Sequence, residues 1–295
     1  MSFFVSEDEV QRLFQSDRDS LQWQCYQALK HRVEKNTRED TLIQPGDTQE
    51  WYHLCWERFS DAAFVYFVDR DERLGRWVHD RTMEIVEKSL DEWVGPWYRG
   101  RAAEPKEQEG YLETAHITLA ICEAVANASE VFSELEMERC RNVIREKGMF
   151  PCMRFCSKVI EEKRQKNNWF MVMLNGFGTA AALLNDMEYV KMAVEYSHIA
   201  ASLYNEDSYG ESIQYSNYAT LHLSHLNEIL LRSGLVKEEA LNFTCYANLM
   251  VWYVASFLYC KPLKKGGPVY PRTVNFGDSA SVYRTTGDVL VQVAS

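Results

Sequence analysis

Two polar, aromatic-rich stretches carry the side chains best suited to chemistry. The first is Asn167-Asn168-Trp169, which leads into an apolar run reaching residue 184. An Asn just before an apolar helix is a good N-cap, because its side-chain oxygen accepts from a backbone N–H of the first turn. A cap uses one side chain. The second Asn is then left to donate a hydrogen bond into a cleft that Trp169 can wall. The second stretch is Asp207-Ser208-Tyr209-Gly210-Glu211-Ser212-Ile213-Gln214-Tyr215-Ser216-Asn217-Tyr218. Ser208 or Ser212 can cap the helix that follows, and Glu211 near its start suits the helix dipole. If that helix begins by Glu211, then Glu211, Tyr215 and Tyr218 share one face. Phenols placed there serve either as core aromatics with hydroxyls at the rim or as proton carriers. The second role needs a phenol pKa lowered from about 10 by positive charge or hydrogen bonds.

Further candidates lie outside these stretches. His116 sits in an apolar helical run, as a satisfied buried histidine or as a cleft residue. His222 and His225 are three apart on the second-motif helix, a spacing that two metal ligands can use, but no third ligand is near in sequence. Trp97, Tyr98, Arg99 and Arg101 form a plausible rim for an anionic sugar chain, or a loop folded over one end of the helices. Gly176 and Gly178 lie inside the first-motif helix, where each costs about 1 kcal/mol relative to Ala. Close helix packing is their simplest explanation.

These groups need a scaffold, and the chain reads as helices throughout. Ser6 and Glu9 form a capping-box pattern for a first helix. Apolar residues then recur at helical spacing over 51–67, 73–90 and 112–128. Residues 132–162 read as a helical pair broken near Gly148-Met149-Phe150-Pro151. Residues 170–184, 187–204 and 212–232 follow, the last stopped by Gly234 as a C′ residue. A long, very apolar helix is expected over 236–260. Residues 91–110 lack helical period and read as a long aromatic loop, a type of segment that is often functional. Past 260 the chain turns irregular or extended, and a final short helix is expected from 289. About ten substantial helices with short connections suit an all-α architecture of antiparallel helical hairpins. No repeat of fixed period is visible, which disfavours a solenoid. An incomplete α/α toroid over residues 1–262 is the expected fold, with 263–295 leading into a further domain.

Bulk properties exclude some functions. The chain of 295 residues carries 32 Lys+Arg against 43 Asp+Glu, a net charge of −11. That argues against sequence-independent nucleic-acid binding, which neutralises phosphates with Lys and Arg. No run of 18 apolar residues suggests a membrane span. The first residues show no signal-peptide pattern, so a cytoplasmic location is expected as written, or a periplasmic or secreted one if a leader has been removed. The eight Cys show no Cys-x-x-Cys pair, and most sit in apolar helical segments, as buried free thiols do.

Taken in order, Asn-Asn-Trp before a Gly-containing apolar helix, Tyr-Gly-Glu-x-x-x-Tyr-x-x-Tyr at 209–218 and Asn275-Phe276-Gly277-Asp278-Ser279 carry a family resemblance. Residues 110–290 resemble the helical domain of heparinase II/III-like polysaccharide lyases. The resemblance implies an N-terminal α/α toroid followed by β-rich sheets, and cleavage of a uronate-containing polysaccharide by β-elimination. It implies that Asn168, or else Asn167, meets the uronate carboxylate and that Tyr215 moves the proton. Trp169, Tyr209, Glu211, Tyr218, His116, Trp97 and Arg99 would line the site for an acidic polysaccharide or oligosaccharide. The family's second base is often a His from beyond the toroid, and no His follows His225 here. No cofactor is implied for the helical part; a metal would belong to the following β-rich domain. Ser212-Ile213 stands where the family usually has Gly and Pro. Two rivals remain open: a glycoside hydrolase on a related toroid, for which Asp207 and Glu211 are the nearest carboxyl pair, and a non-catalytic scaffold that binds glycan or protein.

Overall fold

The structure, a computed structural model, describes residues 4–42, 51–94, 107–204, 211–245, 257–262, 265–267 and 269–273. Among the described residues the fold is all-α apart from one two-stranded hairpin. Its helices are α1 (Glu7–Gln15), α2 (Leu21–Asn36), α3 (Trp51–Asp69), α4 (Glu72–Glu87), α5 (Leu90–Val94) and α6 (Leu112–Asn127), followed by α7 (Glu134–Val143), α8 (Phe150–Glu161), α9 (Asn168–Leu183), α10 (Met187–Ala201) and α11 (Ile213–Arg232). Strands β1 (Phe257–Pro262) and β2 (Val269–Thr273) pair antiparallel, with Cys260 opposite Pro271 and Lys261 opposite Tyr270. Among the described residues no helix is long and apolar enough to cross a membrane.

Four helices form the spine. α3 packs on α6, α6 on α9, and α9 on α11. Nearly every residue of α6 and α9 is buried, as a helix that is apolar on all sides requires. Glycine makes the close packing possible. A Cβ at Gly176 would lie 3.0 Å from the Ala115 Cα and Cβ on α6, and one at Gly178 would meet the Leu226 side chain of α11 and Ala193 of α10. Helices α8 and α10 cover the other sides of α9.

The ends of the helices follow local chemistry. Ser6 and Glu9 complete a capping box: the Ser6 side chain accepts from the Glu9 N–H at 3.2 Å and the Glu9 carboxylate accepts from the Ser6 N–H at 2.8 Å. The same carboxylate takes two bonds from Arg232 at 2.8 and 2.6 Å, tying the N-terminal arm to the end of α11. Gly234, at φ +72°, ends α11 in the left-handed conformation that glycine adopts without strain.

Three expectations change. The helical pair over 132–162 is not broken at Gly148. A π-helical turn, Ile144–Met149, joins α7 to α8, and the Phe150 N–H bonds to the Arg145 carbonyl five residues back. Pro151 has no N–H for the regular ladder, and a widened turn absorbs that loss without ending the helix. Within the expected loop 91–110, α5 is helical; its Trp93 is fully buried and donates to the Ile85 carbonyl at 3.1 Å. The long helix over 236–260 does not form in its described part. Residues 236–245 are turns with one 3₁₀ turn at Glu238–Ala240, and β1 occupies its far end. A continuous apolar run does not by itself separate strand from helix. The aromatic residues before Pro262 and the Gly266-Gly267 turn tip this one to a hairpin. The expected final helix from 289 lies outside the described residues.

Candidate functional site

The first motif opens α9. Asn167 is the N-cap, its side-chain oxygen accepting from the Trp169 N–H at 3.1 Å. Asn168 is the first helical residue and is 5% exposed. Its backbone N–H donates to Glu211 Oε2 at 2.9 Å and its carboxamide Nδ2 donates to Glu211 Oε1 at 2.8 Å. One carboxylate thus satisfies a first-turn donor of α9 and fixes a buried amide. The charge also suits the helix N-terminus. Trp169 is partly buried between Tyr111, edge-on at 6.3 Å, and Phe155 at 6.5 Å.

The second motif opens α11. Ser212 is the N-cap, accepting from the Tyr215 N–H. Glu211 therefore precedes the helix, and the expected single face of Glu211, Tyr215 and Tyr218 does not form as such. Tyr215 and Tyr218 do share a face of α11, which continues through His222 and His225 at helical spacing. Tyr218 reaches His116 of α6, its hydroxyl 2.8 Å from Nε2. Tyr209, Asp207, Trp97 and Arg99 lie outside the described residues.

Behind Tyr218 runs a buried polar column drawn from all four spine helices. His116 and His222 stack at 5.4 Å and 23°. Trp56 of α3 lies against both, at 5.3 and 5.1 Å, and Tyr52 lies 5.7 Å from His116. Asn175 of α9 bridges the two histidines of α11: Nδ2 is 3.0 Å from His222 Nδ1, and Oδ1 is 3.0 Å from His225 Nδ1. An amide NH₂ only donates and an amide oxygen only accepts. His222 Nδ1 is therefore the bare nitrogen, whereas His225 carries its proton on Nδ1. Thr179 adds a bond to the same Asn175 oxygen at 3.1 Å. Both Nδ1 atoms are thereby committed to Asn175, and among the described residues no group of three His, Cys, Asp or Glu is placed to hold a metal ion.

The column ends at Glu123 of α6. Trp56 Nε1 donates to Glu123 Oε1 at 2.8 Å, Ser60 donates to Oε2, and His225 Nε2 lies 3.8 Å from Oε1. Burial pushes the Glu123 carboxyl up to about 7 and the His225 imidazole down to about 4. Between those values the pair holds one proton, whichever partner carries it. Next to it is a cavity of about 360 Å³ lined by Phe4, Phe64, Asp61, Asn127 and Ile229, among others.

Trp56, Glu123, Asn175, His222 and His225 were not legible as one cluster. The 3-4-3 spacing of residues 215, 218, 222 and 225 was the available signal on α11. Glu123 amid an apolar helix was the signal on α6. Cys25, Cys55, Cys122, Cys140, Cys152, Cys156 and Cys245 are free thiols, and burial raises those of Cys122, Cys152 and Cys156.

Fold and site together define an all-α protein whose two polar helix entrances join through Asn168 and Glu211 above a buried His/Asn/Glu column. In comparisons with known proteins, no family model matches the chain and no curated protein matches it significantly.

Proposed function

We propose that this chain is the helical part of a polysaccharide lyase that cleaves a uronate-containing glycan by β-elimination. The observation that carries the reading is the Asn168–Glu211 pair. It joins two motifs 43 residues apart at the tyrosine-bearing start of α11. The resemblance of those motifs to heparinase II/III-like lyases supplies the chemistry, and an α/α toroid is the architecture it implies for these helices.

The C5 proton of a uronate is weakly acidic because it lies α to a carboxylate. Hydrogen bonds to that carboxylate stabilise the enolate-like intermediate. Beyond its bond to Glu211, the Asn168 carboxamide has a second N–H and a carbonyl oxygen. That second N–H would meet the uronate carboxylate, with Glu211 fixing the amide plane. The proton carrier is a phenol of α11: Tyr215 by its match to the motif, or Tyr218 three residues on. Tyr209, Trp97 and Arg99 would complete the rim for the acidic chain.

The test is digestion of a panel of polyuronates (alginate, hyaluronan, heparan sulfate) by this chain. An unsaturated uronate appears as a new ultraviolet chromophore. New reducing ends without that chromophore would replace the reading with a hydrolase. Glycan binding with no turnover, surviving the loss of Asn168, would replace it with a binding scaffold.

A further inference from the structure

We infer that the cavity beside the far half of α11 is a binding site for a short aliphatic amine, whose ammonium is received between Glu123 and His225. The inference stands apart from the lyase reading and does not depend on it. His225 is ten residues past Tyr215, which places the cavity floor about 15 Å along α11 from the motif end.

The cavity has the size and the two-part lining of a small-molecule site. Its volume of about 360 Å³ lies at the small end of the range for ligand pockets. Phe4 of the N-terminal arm, Leu29 of α2, Phe64 of α3 and Ile229 of α11 give it apolar walls. Its floor is polar and comes from α6 and α11. Glu123 is 5% exposed, and Trp56 Nε1 and Ser60 each donate to one of its oxygens, leaving each oxygen a further acceptor position. His225 Nδ1 donates to Asn175, so Nε2 presents a lone pair. That nitrogen is 3.8 Å from Glu123 Oε1, too far for a hydrogen bond between them. Two acceptors thus share one gap. Both residues line the cavity, and the His225 side chain keeps 20% of its surface exposed.

An ammonium suits such a floor. It brings three N–H donors, no acceptor and a positive charge, so it bridges the carboxylate oxygen and the imidazole lone pair at once. A hydroxyl brings one donor and no charge, and a carboxylate brings a further acceptor. The other charged groups around the cavity are balanced or favour a cation. Asp61 of α3 is bound by Arg32 of α2 at 2.8 and 2.7 Å. Arg232 is bound by Glu9 at 2.8 and 2.6 Å. Glu228 stands 3.8 Å from Arg232 with 52% of its side chain exposed, placed to meet the second ammonium of a diamine. The alkyl chain between the two would lie on the apolar walls. A bound cation favours the ionised form of Glu123, which burial otherwise keeps protonated up to about 7. Binding therefore releases a proton from Glu123 near neutral pH, and it weakens as pH falls below 7.

The experiment is calorimetric titration of the full chain with n-butylamine, 1,4-diaminobutane, 1-butanol and butyrate between pH 5 and 8. Both amines should bind one per chain with a Kd of about 1 mM or tighter, and the alcohol and the acid should not bind. Amine affinity should fall roughly tenfold for each pH unit below 7, as one linked proton requires. Glu123→Gln should weaken both amines by at least roughly tenfold, the loss of a charged hydrogen-bond partner, and remove the pH dependence. Glu228→Gln should bring 1,4-diaminobutane down to the affinity of n-butylamine and leave n-butylamine unchanged. Circular dichroism checks that each variant is folded. Glu228→Gln alters a half-exposed position and decides the matter if Glu123→Gln does not fold. Wild-type chain that gives no saturable heat with either amine overturns the inference. So does equal binding of 1-butanol or butyrate, or amine binding that ignores pH and both substitutions. Polyuronate digestion tests the lyase reading separately, so either can fail while the other stands.

Discussion

Asn168 gives both its backbone N–H and its carboxamide N–H to the two oxygens of Glu211, at 2.9 and 2.8 Å. The two residues are the first of α9 and the last before the cap of α11, so one carboxylate fixes the start of two helices. Glu211→Ala would leave two largely buried donors unsatisfied. Such a loss costs about 1–3 kcal/mol, which urea unfolding would read as a lower midpoint with unchanged slope. Glu211→Gln keeps an acceptor for only one of the donors and should fall between. A Glu211→Ala chain of wild-type stability would show that the pair contributes nothing to the fold.

The Glu123–His225 pair gives a pH signature with two opposing signs. Burial raises the Glu123 carboxyl from 4.5 to about 7, so the folded protein binds more protons than the unfolded chain across that window. Its contribution to stability is therefore lost as pH rises from 4.5 to 7. Burial lowers His225 from 6.5 to about 4, so its contribution is lost as pH falls from 6.5 to 4. Each spans about 3 kcal/mol at 1.36 kcal/mol per pKa unit. The two cancel between 4.5 and 6.5. Measured as variant minus wild type, Glu123→Gln should gain stability with rising pH, whereas His225→Gln should lose it. Parallel curves for variant and wild type would remove the pair as a titrating element.

Gly176 and Gly178 should respond differently to Ala. A Cβ at Gly176 meets backbone, the Ala115 Cα at 3.0 Å, whereas one at Gly178 meets the end of the flexible Leu226 side chain. Overpacking costs about 1–3 kcal/mol, against a helix-propensity gain of about 1 kcal/mol. Gly176→Ala is therefore expected to destabilise by thermal unfolding, and Gly178→Ala to be milder because Leu226 can rotate. The reverse order would mean that α6 and α9 approach less closely than described.

The N-terminal arm should detach in acid before the spine unfolds. Arg232, with the Ser6 backbone N–H and hydroxyl, lowers the Glu9 carboxyl from 4.5 to about 2. A depressed carboxyl contributes stability that is full above 4.5 and lost as pH falls toward 2. The Glu9 side chain keeps 34% of its surface exposed, so solvent screening moderates the effect. Hydrogen exchange of α1 should become faster than that of α6 and α9 over this range, and Glu9→Gln should show fast α1 exchange at neutral pH. Equal protection of α1 in the Gln variant would show that Val5 and Val10, both buried, hold the arm without the ion pair.

Much of the scaffold was legible because its signals are local. The Ser6–Glu9 capping box, Asn167 as a cap and Gly234 as a stop each depend on side chains within three or four residues. Glycines inside an apolar helix imply close packing, but nothing local names Ala115 or Leu226 as the neighbours. What failed locally was where one signal has two outcomes. Pro151 reads locally as a break, yet a π turn absorbs it. The apolar run before Pro262 suits a helix by hydrophobicity alone, yet it ends in a strand.

The amino-acid sequence by itself determined the all-α class, the two polar helix entrances and the residue types gathered there, because periodicity and capping act over single turns. Only the tertiary structure decided their partners. Asn168 meets Glu211, Tyr218 meets His116, and Asn175 bridges His222 and His225 because glycine lets α9 lie close against both α6 and α11. Helix packing sets those distances across 43, 102 and about 50 residues of chain, and no local pattern encodes them.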